Sequence, residues 1–106
     1  MAALQLNRSQ LYEMLKSELP LLIDFWAPWC VDCRRISGVY DRIAEENEGK
    51  LIVAKINIDD EALWEEEKIN RIPTLRIYEN GKILGSIEEP GSKAAIDTFI
   101  RNTLSR

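Results

Sequence analysis

Apolar and polar positions along this chain follow two periods, and each change of period marks an element. A short apolar segment, Ala3-Leu4-Gln5-Leu6, comes first. Asn7 with Gln10 three residues on is a capping pair, and Leu11, Met14 and Leu15 give the helix behind it one apolar face. Pro20 ends the next turn. Leu21-Leu22-Ile23-Asp24-Phe25-Trp26-Ala27 is almost continuously apolar, as in a strand covered on both faces. Ile36, Val39, Tyr40, Ile43 and Ala44 then recur at helical spacing, predicting a helix that closes near Asn47 to Gly49. Leu51 to Ile58 predicts a second buried strand, after which Asp59 or Asp60 caps a short acidic helix running to about Lys68.

Pro73 introduces a further strand, Thr74-Leu75-Arg76-Ile77-Tyr78. Asn80-Gly81 is a hairpin turn, and Lys82 to Ile87 returns antiparallel. Pro90-Gly91 breaks the chain, Ser92 caps, and Ile96, Phe99, Ile100 and Leu104 form the stripe of a last helix. The order is β-α-β-α-β-α-β-β-α with neither linker nor repeat. It predicts an α/β fold, one domain over residues 1–106, with a central mixed β-sheet flanked by helices on both faces.

The length of 106 residues suits such a domain. Composition changes the picture in two ways. A net charge of −4 without a basic stripe or tail argues against nucleic-acid and anionic-membrane partners. Histidine is absent, so chemistry must rest on cysteine, carboxylates, lysine or tyrosine. No apolar run approaches membrane-spanning length, and the polar stretch Asn7 to Gln10 interrupts any secretory core, so a cytoplasmic protein is expected.

Both cysteines stand in FWAPWCVDCRR, between a buried strand and a helix. In open α/β sheets, that edge is where sites form. A thiol at a helix N-terminus meets unpaired N–H groups and the positive end of the helix dipole, which favour its thiolate. Cys33 follows Cys30 by less than one turn, the arrangement an attacking and a resolving thiol need. Two rival readings are weaker. Zinc needs four ligands, and two cysteines supply half a site at most, unless a metal or cluster bridges two chains. A structural staple closing so short a loop adds little stability and is reduced in the cytosol.

Asp24 and Lys55 each interrupt a buried strand, where an unpaired charge is costly. Either both reach a solvated strand end, or they lie near each other beneath the dithiol. In the second case a buried carboxylate could exchange a proton with Cys33 near neutral pH.

IDFWAPWCVDC, AKINID, RIPT and the later NG turn resemble the thioredoxin family in order and spacing, over essentially the whole chain. The resemblance implies the thioredoxin fold and disulfide–dithiol exchange. By position, Cys30 is the exposed nucleophile and Cys33 the buried resolving thiol. Asp24 matches the family's buried carboxylate and Lys55 its partner lysine. Pro73 matches the cis-proline facing the dithiol, with Ile72 offering backbone hydrogen bonds to an extended substrate. Trp29 flanks the site, and Trp26 reads as packing. No cofactor is implied beyond the reversible Cys30–Cys33 disulfide, and no metal. The implied partners are protein disulfides and a separate reductase, dependent on NADPH or ferredoxin, since the chain has no nucleotide-binding glycine motif. Monomer is the default.

The sequence departs from the family's pattern at four places. Val31-Asp32 replaces the usual Gly-Pro spacer, and a carboxylate at Asp32 raises the cost of a nearby thiolate, with Arg34 and Arg35 partly offsetting it. Gly38 stands where a helix proline is common. Glu88-Glu89 replace a small glycine beside the site and would narrow and acidify the groove for targets. Arg71 stands where a small residue is common. These departures keep a dedicated redox partnership with one protein or reductase open beside general disulfide reduction. A non-redox binding subunit is a more distant alternative, and an oxidase or isomerase lacks a secretory signal to support it.

Overall fold

The structure is a computed structural model that describes residues 2–60 and 63–105. Five strands form one sheet in the order β1-β3-β2-β4-β5: β1 Leu4–Leu6, β2 Leu21–Trp26, β3 Ile52–Asn57, β4 Thr74–Glu79 and β5 Lys82–Glu88. β1 and β2 both run parallel to β3, while β4 is antiparallel to β2 and β5 to β4. The sheet is therefore mixed, and the α/β thioredoxin fold expected from the sequence is the one observed. Among the described residues four α-helices cover it: α1 Arg8–Met14, α2 Val31–Glu46, α3 Leu63–Glu66 and α4 Lys93–Leu104. None is long and apolar enough to cross a membrane.

The two faces follow from strand alternation. Leu21, Ile23 and Phe25 pack with Leu11 of α1 and Leu63 of α3. Leu22 faces the other way, onto Ile36, Tyr40 and Ile43 of α2 and Ile96 and Ile100 of α4. Each such fully buried aliphatic contributes about 1.5–3 kcal/mol of transfer free energy. The same parity puts Asp24 on the α2 face. It also puts Lys55 there, because its neighbours Ala54 and Ile56 fill the opposite core.

Local punctuation closes the elements as the residues dictate. Asn7 and Gln10 form a reciprocal capping box on α1, and the Ser92 hydroxyl accepts from the Ala95 N–H at the start of α4. Asn80 and Gly81 both have positive φ, 53° and 78°, as the tight β4–β5 hairpin requires. Lys68, at φ 55°, ends α3: its N–H donates to Glu65 and that of Ile69 to Trp64, a Schellman closure. Helix α3 proper is thus shorter than expected. Its expected first turn falls on residues 61 and 62, outside the described residues. The expected cap at Asp59 or Asp60 bears on that same turn and lies outside the described residues with it; the Asp59 carboxylate accepts from Trp29. A side chain at Gly85 would stand 3.2 Å from Thr103 and 3.3 Å from Phe99, so the missing Cβ lets α4 lie close on β5.

Candidate active site

β2 ends at Trp26, and Ala27-Pro28-Trp29 turn the chain into α2 with Cys30 as its N-cap. The Cys30 N–H donates to the Ala27 carbonyl at 3.1 Å, which fixes the turn. The Cys33 N–H donates to Cys30 Sγ at 3.2 Å, so the sulfur takes the place of a capping oxygen and satisfies an otherwise orphan donor. On its other side, Cys30 Sγ–H reaches the Ile72 carbonyl at 3.8 Å. The Ile72–Pro73 peptide bond is cis, and its loop leads directly into β4. Both cysteines are free thiols.

Cys30 is the more accessible sulfur, but it is recessed rather than exposed: 9% of the residue is accessible against 2% for Cys33. The Ile72 carbonyl and the helix cap lie against it, while Trp29 at 59% and Val31 at 57% stand out around it. Burial is the main cause that pushes Cys33 up to about 12, and its hydrogen bond to Cys30 adds to it. A backbone hydrogen bond from Ala27 opposes the rise, and charge on Cys30 or Asp24 increases it.

Asp24 and Lys55 are register partners on neighbouring strands, so the reading that sets them side by side is the observed one. Asp24 is 2% exposed, and among the described residues its Oδ1 has no hydrogen-bond partner. Burial raises it from 3.8 to about 7, with Lys55 acting in the opposite direction. The Lys55 ammonium lies 5.1 Å from the centroid of the Trp26 ring, which keeps it partly occupied. Trp26 thus packs, as expected, and also holds a charge in place.

Asp24, Trp26, Cys33, Arg34, Ser37, Tyr40 and Lys55 line one cavity of about 250 Å³. Tyr40 and Ser37 belong to this site and escape sequence reasoning. Tyr40 reads as one more apolar position in the α2 stripe. Its hydroxyl nevertheless donates to the Ala54 carbonyl at 2.6 Å and approaches that of Leu22 at 3.1 Å, tying α2 to both strands that carry the charges.

The spacer and rim need two corrections. Arg35, not Arg34, takes the Asp32 charge, at 3.2 Å, because a residue three positions on faces back along the helix. Arg34 instead donates to the Pro28 carbonyl at 2.8 Å and lines the cavity. Of the two rim glutamates only Glu89 borders the dithiol side. Glu88 sits on β5 opposite Thr74 and lines a separate polar recess with Lys68 and Arg76. Glu89 has φ 48°, its N–H donates to the Pro73 carbonyl at 2.8 Å, and its carboxylate lies 3.8 Å from Arg71. Two of the four departures from the family pattern therefore meet each other. Trp29 Nε1 donates to the Asp59 carboxylate, a partner thirty positions away that no local signal announces.

A dithiol at this edge of a mixed α/β sheet, with one sulfur capping a helix, defines the class of thiol–disulfide exchange proteins. Comparison with known proteins carries the class to a family. The thioredoxin family model matches residues 2–102. A thioredoxin of Porphyra purpurea is 40% identical over 93 residues, covering 83% of this chain and 87% of that protein. Thioredoxin 1 of a Nostoc species is 45% identical over 71 residues, 66% of each chain, and a Synechocystis thioredoxin is 36% identical over 93 residues, covering 83% of this chain and 87% of its own length. The chain belongs to the thioredoxin family.

Proposed function

We propose that the protein reduces disulfides of other proteins through Cys30 and Cys33, and that it is recharged by a separate reductase. The observation that carries this reading is the Cys30 sulfur, held between the Cys33 N–H at 3.2 Å and the Ile72 carbonyl at 3.8 Å. A sulfur capping a helix is oriented for attack and receives dipole stabilisation as thiolate.

In the first step the Cys30 thiolate attacks one sulfur of a target disulfide. A new S–S bond forms to Cys30 as the target's own S–S bond breaks, and the second target sulfur leaves as a thiolate that takes a proton from solvent. In the second step Cys33 gives its proton to the Asp24 carboxylate, and its thiolate attacks Cys30 Sγ. The Cys30–Cys33 disulfide forms, and the first target sulfur leaves as thiol after protonation. Two electrons have passed from this chain to the target. Asp24 suits the proton step because its affinity, at about 7, lies near neutrality. Lys55 stabilises the carboxylate between turnovers.

The resident redox group is the dithiol alone. Electrons return from a reductase that uses NADPH or ferredoxin, and the chain works as a monomer in the cytoplasm. Turnover of an insulin disulfide tests the reading, first with dithiothreitol and then with NADPH and a thioredoxin reductase. Reduction in both arms is expected. Activity in the chemical arm alone would point to another donor, and none in either arm would defeat the proposal.

A further inference from the structure

Cys33 and Tyr40 share the buried face of α2, about two turns and so about 10 Å apart along the helix axis. Tyr40 is fully buried, and its hydroxyl donates to the Ala54 carbonyl at 2.6 Å and lies 3.1 Å from that of Leu22. Ala54 directly precedes Lys55 on β3, and Leu22 stands two residues before Asp24 on β2. The hydroxyl thus sits where the two strands meet, beside the register pair Asp24 and Lys55.

A phenylalanine would fill the same apolar stripe without a polar group to satisfy. What the hydroxyl adds is position. The cavity of about 250 Å³ lies between α2 and the strands, bordered by Asp24, Cys33, Lys55 and Tyr40 itself. Walls that face a void lack packing partners across it, so contact alone does not set how far Cys33 stands from Asp24. Asp24 Oδ1 does not set it either, having no hydrogen-bond partner among the described residues. Tyr40 bridges that gap. One hydroxyl joins the helix that carries the thiol to both strands that carry the charged pair.

Resting on the reading of Asp24 as proton acceptor for Cys33, we infer that Tyr40 is a positioning residue for the second exchange step. Its hydroxyl holds α2 against β2 and β3 so that the Cys33 thiol meets the Asp24 carboxylate. Proton transfer needs its two groups within hydrogen-bond reach or one water apart, so a small drift of α2 is felt there first. Cys30 caps the helix outside this cavity, and its attack on a target does not pass through it. Loss of the hydroxyl therefore falls on resolution of the mixed disulfide, and formation is spared.

The test removes the hydroxyl and keeps the ring. Wild type, Tyr40→Phe, Asp24→Asn and the double variant, each as the pre-reduced full chain, are mixed with a disulfide-linked peptide. Rapid quench separates formation of the mixed disulfide from its resolution. Tyr40→Phe is expected to slow resolution about threefold at neutral pH. Formation should be unchanged, which also reports an intact fold. In the Asp24→Asn background the same substitution should change resolution by less than about 1.5-fold, since effects that act through one shared group do not add. Equal slowing of both steps, an unchanged resolution rate, or the full loss in the Asp24→Asn background overturns the positioning role. Resolution by Asp24→Asn at the wild-type rate overturns the proton role of Asp24, and the positioning role with it. Failure of wild type to form any mixed disulfide overturns the exchange reading itself.

Discussion

The Asp24 carboxylate and the Cys33 thiol border one cavity of about 250 Å³, Asp24 from β2 and Cys33 from the first turn of α2. Burial moves both toward their neutral forms, Asp24 to about 7 and Cys33 to about 12. A thiol that resists ionisation thus shares its space with a carboxylate able to accept a proton near neutrality. That pairing makes the second exchange step a matter of proton transfer as much as of sulfur reach.

Asp24→Asn should leave formation of the mixed disulfide with Cys30 nearly unchanged and slow its resolution by Cys33. General-base removal costs roughly 100-fold or more at full effect; water in the cavity can substitute, so a loss of about tenfold at neutral pH is expected. Rapid-quench separation of the two steps provides the check. In wild type the resolution rate should rise with pH through about 7, and the variant should lose that inflection. Equal slowing of both steps would assign Asp24 a structural role only.

The same burial makes stability depend on pH. Asp24 binds its proton more tightly folded than unfolded, so between 3.8 and about 7 the folded state holds more protons. The contribution of Asp24 to stability therefore falls as pH rises through that window and is fully present only below it. The span from 3.8 to about 7 corresponds to roughly 4 kcal/mol. Urea denaturation of wild type and Asp24→Asn should show the difference moving in the variant's favour by about 3 to 4 kcal/mol between about pH 4 and pH 8.5. Parallel curves would contradict the burial account.

Gly38 lies within α2, exposed, and a Cβ built there meets none of the described residues within 4 Å. The helix runs unbroken from Val31 to Glu46 across it, so the glycine brings only its excess conformational freedom. Gly38→Ala should raise stability by about 0.5–1 kcal/mol with no change in the rate of disulfide reduction. Thermal unfolding beside the turnover assay tests this.

The element order is legible in the sequence because its signals are local: the Asn7–Gln10 box, the Asn80-Gly81 turn, the Ile36-to-Ala44 stripe. Asp24 and Lys55 can be singled out because charge inside an apolar strand is costly wherever it falls. Their adjacency is a matter of register between β2 and β3, which no local pattern states. Tyr40 is hidden for the opposite reason, since a phenol in an apolar stripe looks like core until its hydroxyl finds two carbonyls. The Arg71–Glu89 and Trp29–Asp59 pairs join distant segments, so the sequence marks Arg71 and Glu89 as unusual without pairing them. The recess of Cys30 depends on how close the Ile72 carbonyl comes, a distance that residue types alone leave open.

The roles of the two sulfurs are the centre of the account, and trapping tests them most directly. Cys33→Ser and Cys30→Ser variants are mixed with a disulfide-bonded protein, quenched in acid and read by mass spectrometry. The account predicts that Cys33→Ser accumulates a mixed disulfide mapped to Cys30, and that Cys30→Ser accumulates little. Equal trapping by both variants, or none by Cys33→Ser, would contradict it.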